Sequence, residues 1–268
     1  MPTVSVGDTN LHFASRGEGR CTVFLHVIGG TLHNFDLVAR KLSKHWRTVA
    51  FDQRGFGKSD KPIDRPYSTE LWADDLSSLL TALRIRKAVV AGHSMGGRIA
   101  CHFAAKYPEK AAALIVLDTT MWGTNPDGAR ELRAGILRLK VEGMGVFASD
   151  TPWARTLDPK LRHLAELDRE ETLMNDPGAY ALAAESVASD FAGEADYSFL
   201  SKIQCPTLIV VGDKDSAPLS GAVAMRNQIK GSHLGVIPDC GHYTIYEKPD
   251  VLLAMITDFT RNLTWDGQ

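Results

Sequence analysis

The sequence predicts an α/β fold in which a mostly parallel sheet is covered by helices on both faces. Short runs rich in Val, Ile and Leu recur along the chain, and stretches with helical periodicity separate them. Runs that are apolar at nearly every position are typical of strands buried on both faces, as in a parallel sheet. Their alternation with helices favours right-handed crossover connections. A long strand-free interval after Thr120 predicts an insertion in this sheet.

The predicted elements follow one another in a regular order. Residues 3–6 and 11–15 alternate around Gly7-Asp8, which indicates an N-terminal antiparallel hairpin. Buried parallel strands are predicted at residues 21–26, 47–51, 88–91, 113–117 and 207–211. Residues 71–83 carry apolar side chains at helical spacing, and residues 96–105 form a second predicted helix.

The interval from residue 121 to residue 200 contains helical patterns and no convincing strand. Helices are predicted at residues 128–142, 160–174 and 178–188. Such an insertion is expected to form a lid over the carboxyl ends of the strands, where α/β sheets bind ligands. The length of 268 residues is near the upper limit for one core. We therefore expect a core of residues 1–120 and 201–268, interrupted by a helical cap of residues 121–200.

Composition excludes several classes of protein. The net charge of −2 offers no excess of cations for nucleic acid, and apolar runs such as residues 111–117 are far shorter than the roughly 20 residues of a membrane span. The first ten residues lack a signal-peptide pattern, so a cytoplasmic protein is expected. Four scattered cysteines resemble neither a disulfide framework nor a zinc site. We expect no metal, cofactor, nucleic acid or membrane partner, and a monomer or homodimer.

The most informative motif is Gly-His-Ser-Met-Gly-Gly at residues 92–97, between a predicted strand and a predicted helix. A serine in a sharp strand-to-helix turn has a strained backbone, and small neighbours are required because larger side chains would collide with it. The helix N-terminus also points its N–H groups and its dipole at any oxyanion formed there. This context predicts that Ser94 is a nucleophile rather than an incidental serine in a glycine-rich turn.

A serine hydroxyl needs a base, usually a histidine that a carboxylate holds. His242 is the candidate base, because it follows the apolar stretch 234–237 and precedes the C-terminal helix, which places it in a strand-end loop. Asp118, Asp213 and Asp215 all follow predicted strands and are candidates for the carboxylate. The order Ser, Asp, His along the chain is the one expected for a triad on this kind of sheet.

Several segments together make the chain similar to the α/β-hydrolases over essentially its whole length. They are residues 25–30 (Leu-His-Val-Ile-Gly-Gly), 52–60 (Asp-Gln-Arg-Gly-Phe-Gly-Lys-Ser-Asp), 92–97, 212–215, and Gly241-His242 with Glu247-Lys248-Pro249. The resemblance implies an eight-stranded, doubly wound sheet and a Ser-His-Asp triad. It also implies that the acid is the aspartate three residues after Gly212, which is Asp215, whereas Asp118 matches the acid position of a minority subgroup.

The same resemblance implies an oxyanion hole formed by the N–H groups of Met95 and Ile28. One departure concerns the first loop, where the family usually has His-Gly and this chain has His26-Val27. Glycine permits a positive φ that a β-branched valine resists. Either this loop uses ordinary dihedral angles or the Ile28 donor is displaced.

The expected function is hydrolysis of a carboxylic ester or lactone of a small molecule through an acyl-enzyme. Serine at the nucleophile position argues against dehalogenases and epoxide hydrolases, which use a carboxylate. The layout is most similar to 3-oxoadipate enol-lactonases and small carboxylesterases. One alternative is a carbon–carbon bond hydrolase of meta-cleavage products, although these commonly have Asn and Trp where this chain has His93 and Tyr243. Another is a non-catalytic small-molecule receptor on the same fold.

Substrate contacts are expected from the inserted helices. Trp122, just past the sixth predicted strand, is the candidate for lining an apolar substrate pocket, and Trp153 is a weaker one. The arginines of this region are candidates for pairing with a substrate carboxylate, although basic residues on amphipathic helices more often form a solvated face. They are Arg130, Arg133, Arg138 and Arg155.

Overall fold

An eight-stranded, mostly parallel sheet organises the chain. The computed structural model describes residues 2–119, 123, 126–149, 161–193, 197–261 and 263. The strands are β1 (Thr3–Val6), β2 (Thr9–Arg16), β3 (Cys21–Leu25), β4 (Arg47–Phe51), β5 (Ala88–His93), β6 (Ala111–Leu117), β7 (Thr207–Gly212) and β8 (His233–Ile237). Their order in the sheet is β1-β2-β4-β3-β5-β6-β7-β8. Only β2 pairs antiparallel to its neighbours β1 and β4, and the other described pairs are parallel.

Helices connect the strands. They are α1 (Asp36–Leu42), α2 (Thr69–Ala82), α3 (Met95–Lys106), α4 (Pro126–Ser149), α5 (Arg162–Leu173), α6 (Pro177–Ala192), α7 (Ser216–Gln228), α8 (Thr244–Glu247) and α9 (Pro249–Arg261). Short 3-10 helices occupy Leu32–Phe35 and Ser198–Lys202. Helix α4 is bent at Gly143, which adopts φ 78° and ψ 167°. Within the described residues, no helix combines the length and the apolar character needed to cross a membrane.

Two apolar layers lie on opposite faces of the sheet, as the alternation of side chains along a strand requires. In β3, Val23 belongs to one layer and Phe24 to the other. Helices α2 and α3 close the first layer with side chains such as Leu76, and α1 and α9 close the second with side chains such as Val38. The sheet is therefore doubly wound, as predicted, and its parallel strands direct their carboxyl ends to one edge.

The predicted strand at residues 88–91 extends two residues further in the structure. Gly92 and His93 pair in register with Val116 and Leu117 of β6. The amide of Ser94 then donates to the carbonyl of Leu117 (2.8 Å). The local sequence did not predict this extension because glycine is depleted in strands. The neighbouring strand β6 supplies the hydrogen bonds that extend β5. The motif at residues 92–97 thus starts inside the sheet.

All three helices predicted in the insertion are present between β6 and β7, and each is offset by a few residues. Helix α6 starts at an Asp-Pro pair, where the Asp176 side chain accepts from the amide of Ala179 (2.9 Å) and Pro177 occupies the first turn. Phe147 of α4 packs edge-on against Tyr180 of α6. No strand occurs among the residues described between 123 and 200.

A buried ion pair fixes the loop between β4 and α2. Arg54 donates through Nε and Nη2 to the two carboxylate oxygens of Asp75 (2.8 and 2.7 Å), and both side chains are nearly inaccessible to solvent. The Arg54 carbonyl accepts from the Trp72 indole (3.0 Å). Gln53, the residue before Arg54, donates through its side chain to the carbonyl of His26 in the loop after β3. The ion pair therefore helps to fix the position of that loop.

Removal of the Asp75 carboxylate should destabilise the fold, because the buried guanidinium of Arg54 keeps its charge and loses its bidentate partner. We expect Asp75→Ala to lower the free energy of unfolding by about 3 kcal/mol in urea denaturation. Asp74→Ala is the matched control, since Asp74 pairs with Lys106 at the surface, and it should cost less than about 1 kcal/mol. Equal losses in the two variants would contradict this account.

Candidate active site

Ser94 occupies a sharp turn between β5 and α3. Its φ of 53° and ψ of −112° lie in a region that L-residues rarely adopt. The strained turn is held by hydrogen bonds at both ends, from the Ser94 amide to Leu117 and from the Gly97 amide to the Ser94 carbonyl (3.0 Å). Ser94 is partly accessible to solvent, although the residues around it are buried. The sequence motif therefore produces a projecting serine at the carboxyl edge of the sheet.

The glycines of the motif are required by close packing. A Cβ at Gly92 would lie 2.1 Å from the carbonyl oxygen of Gly96, and one at Gly96 would lie 2.2 Å from the carbonyl oxygen of Leu25. Both distances are far inside van der Waals contact, and both obstacles are backbone. Any larger residue would force β5, α3 or β3 to move, and with them the turn that carries Ser94.

The predicted base and acid are joined by a short hydrogen bond. His242 Nδ1 lies 2.6 Å from Asp215 Oδ2. Asp215 sits at the N-terminus of α7 after β7, and His242 follows β8, so the pair lies at the same sheet edge as Ser94. Burial lowers the pKa of His242, but the charge and hydrogen bond of Asp215, together with the charge of Asp118, raise it above the usual imidazole value. The pair therefore holds the imidazole with its proton on Nδ1.

The other candidate acids are bonded elsewhere. Asp213 is exposed, and its carboxylate accepts from the amide of Cys240 (3.2 Å). Asp118 is completely buried and accepts from the Gly212 amide (3.1 Å) and from the Thr244 hydroxyl (2.6 Å). Burial raises the pKa of Asp118 to about 7. Neither carboxylate is hydrogen bonded to the imidazole of the predicted base.

His93 links the serine turn to the base. Its ring is inaccessible to solvent, and its Nε2 lies 2.7 Å from the carbonyl oxygen of His242. The two imidazole centroids are 5.2 Å apart. The sequence alone did not indicate this contact, because it joins residues 149 positions apart.

The first loop uses ordinary dihedral angles at the unusual valine. Among the described residues other than glycine, positive φ occurs only at Arg84, Ser94, Asp118 and Asp239. The positive φ of the loop falls on Gly29 instead (φ 78°). Of the two alternatives that the His26-Val27 sequence left open, the structure therefore shows the one with ordinary dihedral angles. A buried side chain at Val27 packs into the apolar layer beside α1.

Polar contacts beneath this loop hold its backbone. His26 Nδ1 donates to the carbonyl of Val27 (2.7 Å), and its Nε2 accepts from the amide of Gln53 (3.0 Å). The Gln53 side chain donates back to the His26 carbonyl (3.0 Å). Burial lowers the pKa of His26 to about 4, so the ring remains neutral and keeps this pattern.

The two predicted oxyanion donors differ in their surroundings. The Met95 amide is the first of α3, where an N–H has no carbonyl partner within the helix. Ile28 is partly exposed, next to Gly29. Within the described part of the chain, neither amide donates a hydrogen bond to another residue. Both are therefore available to an oxygen atom at the site.

Helix α5 is bonded to the core through a buried carboxylate that the sequence did not indicate. Glu171 accepts from the Thr31 amide (3.0 Å), the Asn34 side chain (2.7 Å) and the Tyr246 hydroxyl (2.9 Å). Burial raises the pKa of Glu171 to about 7. One helical turn earlier, Asp168 accepts from the Tyr243 hydroxyl (3.3 Å). The helix thus contacts both the first loop and the segment that follows His242.

Asn175 adds a second connection between the insertion and the core. Its side chain donates to the carbonyl of Gly29 (2.6 Å) and accepts from the amide of Gly57 (2.9 Å). Both partners lie in loops at the carboxyl edge of the sheet. No local pattern distinguishes Asn175 or Glu171 from other polar residues on helices, since their role depends on which loops they meet.

Only some of the predicted substrate contacts lie among the described residues. Trp122, Trp153 and Arg155 lie outside the described residues. The arginines of α4 form surface ion pairs: Arg130 with Asp127, Arg133 with Glu185, and Arg138 with Glu142. Within the part of the chain that is described, no cluster of His, Cys, Asp or Glu is arranged to hold a metal ion.

Comparison with known proteins agrees with the fold described above. A family model for the alpha/beta hydrolase fold matches residues 23–249. The chain belongs to the α/β-hydrolase fold family. It is 27% identical to the 2-hydroxymuconate semialdehyde hydrolase of Pseudomonas sp. (strain CF600), over 94% of this chain and 89% of that protein.

Two solved structures illustrate the similarity of this α/β-hydrolase to others. A thermophilic esterase from Thermogutta terrifontis is 28% identical, with a TM-score of 0.85 and coverage of 98% of this chain and 99% of the esterase. The enol-lactonase from Burkholderia xenovorans LB400 also has a TM-score of 0.85, with coverage of 97% and 100%. Its identity of 22% shows a shared fold and no more.

The pH dependence of this α/β-hydrolase should report the Asp215–His242 pair. Because the pKa of His242 is raised, the acid limb of kcat/KM should lie above the usual imidazole value near 6.5. In Asp215→Asn the carboxylate charge is gone, so the limb should move to lower pH and kcat should fall by about 10³-fold or more. Asp213→Asn is the matched control and should retain kcat within about tenfold. A severe loss of kcat in Asp213→Asn, with normal kcat in Asp215→Asn, would show that the assignment of Asp215 as the acid is wrong.

Glu171 should make the stability of the α/β-hydrolase depend on pH. The folded state raises the carboxyl pKa from 4.5 to about 7, so it binds the proton more tightly than the unfolded chain. Stability from this group is present below pH 4.5 and is lost as the pH rises to 7. Relative to the wild type, Glu171→Gln should gain about 2 kcal/mol of unfolding free energy between pH 5 and pH 8. Exposed Glu170→Gln should show no such gain, and a pH-independent effect of Glu171→Gln would refute the assignment.

Proposed function

We propose that this α/β-hydrolase is a serine hydrolase that cleaves a carboxylic ester or lactone of a small molecule. The single observation that carries the proposal is the Asp215–His242 hydrogen bond at the sheet edge where Ser94 projects from a strained turn. A carboxylate, an oriented imidazole and an accessible serine hydroxyl are the parts that acyl transfer requires, and Ser94 is partly accessible. The proposed catalytic residues are Ser94, Asp215 and His242.

The proposed acylation begins with proton transfer from the Ser94 hydroxyl to His242 Nε2. The serine oxygen attacks the acyl carbon, and the carbonyl electrons become an oxyanion that accepts from the amides of Met95 and Ile28. Asp215 stabilises the imidazolium through Nδ1–H. When the carbonyl re-forms, the bond to the alkoxy oxygen breaks, and His242 returns its proton to that leaving oxygen.

The proposed deacylation repeats these steps with water. His242 removes a proton from a water molecule, whose oxygen attacks the acyl-serine. The second oxyanion collapses, the bond to Ser94 breaks, and the serine oxygen recovers the proton from His242. The products are a carboxylic acid and an alcohol, or one hydroxy acid when the substrate is a lactone.

We also propose that the helices between β6 and β7 act as a lid over the site. The argument rests on their contacts, because Glu171 and Asn175 bond to the first loop on either side of Gly30. A helix held against this loop would exclude water from the acyl group and shape the pocket. Trp122 keeps its proposed role in lining that pocket.

The choice of an ester bond draws on similarity as well as on chemistry. The esterase from Thermogutta terrifontis is 28% identical over nearly the whole chain, and the serine mechanism suits an activated acyl group. A second candidate is cleavage of a carbon–carbon bond, which the similarity to 2-hydroxymuconate semialdehyde hydrolase favours. The two candidates share the same triad and differ in the substrate accepted.

A covalent probe would test the proposed nucleophile. A fluorophosphonate should label Ser94 stoichiometrically, and the labelled peptide can be identified by mass spectrometry. Ser94→Ala should abolish labelling and reduce ester turnover by at least about 10⁴-fold, whereas Ser201→Ala, at an exposed serine, should change neither. Turnover of short-chain esters, lactones and a meta-cleavage dienoate by the wild type would separate the two candidates. Labelling at another residue would refute the triad.

A further inference from the structure

His93 is the residue before the proposed nucleophile, and it touches the main chain of the proposed base. Its Nε2 lies 2.7 Å from the carbonyl oxygen of His242. A carbonyl oxygen can only accept, so the imidazole must carry its proton on Nε2 and donate it. The donor is inaccessible to solvent, where a hydrogen bond is protected from competition with water.

We propose that His93 is a positioning residue that sets the spacing between Ser94 and His242. Asp118 completes this brace by holding the end of the same loop, residues 238–243 (the base loop), through Thr244. The proposal rests on the function proposed above. It assigns a role in catalysis to two residues that touch neither the substrate nor the reacting atoms.

The connection is short because His93 and Ser94 are adjacent in the chain. Residue 93 is the end of β5 and is paired with Leu117, and the Ser94 amide also donates to Leu117 (2.8 Å). The sheet therefore holds both residues rigidly. Any movement of the His242 main chain away from Ser94 must break a buried hydrogen bond to the same strand end.

Asp118 holds the base loop two residues further on. Its Oδ2 accepts from the amide and the hydroxyl of Thr244 (3.2 and 2.6 Å). Its Oδ1 accepts from the amide of Gly212 (3.1 Å), at the start of the loop that carries Asp215. The buried carboxylate of Asp118 thus joins the base loop to the loop that carries Asp215. His93 joins the base loop to the turn at Ser94.

Burial of the His93 imidazole has an energetic cost. Its Nδ1 has no hydrogen-bond partner among the described residues, although the atom is buried. A buried acceptor without a partner is unfavourable, and an apolar side chain would avoid the cost. The Nε2–H bond to His242 is the contact that an apolar residue would lose, so it is the feature that explains an imidazole here.

The ionisable groups around His93 leave its ring neutral. The imidazole of His242 is nearby, Asp118 Oδ2 lies 3.6 Å from His93 Nε2, and the ring of Tyr243 is 5.1 Å away. Burial and then the charge of His242 lower the pKa of His93 to about 3. The donor therefore stays the same across the working range of pH, and no second cation opposes the imidazolium that forms on His242.

Two substitutions separate the hydrogen bond from the shape of the side chain. His93→Leu removes the donor, whereas His93→Gln can place an amide N–H near the position of Nε2. We expect kcat per fluorophosphonate-titrated site to fall by about 10²-fold in His93→Leu, with KM within about twofold, because a small displacement of the base slows the chemical step. His93→Gln should recover most of the loss. Thr244→Val, which removes the hydroxyl bond to Asp118, should lower kcat several-fold.

The control is His102→Leu. His102 lies on α3, the helix that follows Ser94, and its ring stacks on Phe199. This variant should keep the wild-type kcat. Because fluorophosphonate titration counts only folded enzyme, a loss of kcat per titrated site does not reflect unfolding. If His93→Leu does not fold, Thr244→Val still tests the brace. Wild-type kcat in His93→Leu, or equal losses in the Leu and Gln variants, would overturn the brace alone. Undiminished turnover in Ser94→Ala would instead overturn the proposed function.

Discussion

The positive φ of Ser94 is the constraint on which the site depends. A serine held in this conformation costs free energy, of order 1–3 kcal/mol for such a residue, and the surrounding sheet must supply it. Strand β5 lies between β3 and β6, and close contacts at Gly92 and Gly96 leave no room for the turn to relax. The turn that carries the proposed nucleophile therefore follows a central strand that is buried along its whole length, and this holds the turn in place.

Buried carboxylates organise the loops around this turn. Asp118 accepts from the amides of Gly212, at the end of β7, and Thr244, at the start of α8. Asp52 accepts from the amides of Leu32 and Lys58 (2.8 Å each). Glu171 plays the corresponding role between α5 and the first loop. A carboxylate can accept several hydrogen bonds at once, which lets one side chain join segments that are distant in sequence. The cost is burial of charge, and the raised pKa values of Asp118 and Glu171, both about 7, are its signature.

The proposed base is connected to its neighbours through its main chain as well as its ring. Its imidazole meets Asp215, its carbonyl meets His93, and the next residue, Tyr243, reaches Asp168 on α5. Glu247 accepts from the amides on either side of His242. A shift of the inserted helices or of the loop that carries Asp215 would therefore move the proposed base, which connects the insertion to the proposed site.

The sequence by itself determined the α/β class, the insertion, the serine turn and the loops that carry Asp215 and His242, because each depends on local periodicity or on glycines at fixed spacing. Residues alone left Asp118, Asp213 and Asp215 open as acids, and family resemblance favoured Asp215. Only the tertiary structure showed which carboxylate meets the imidazole, how the loop with Val27 keeps ordinary dihedrals, and that β5 extends to His93. It alone revealed the contacts of His93, Asp118 and Glu171, since these hydrogen bonds join residues far apart in the chain and follow from strand order in the sheet.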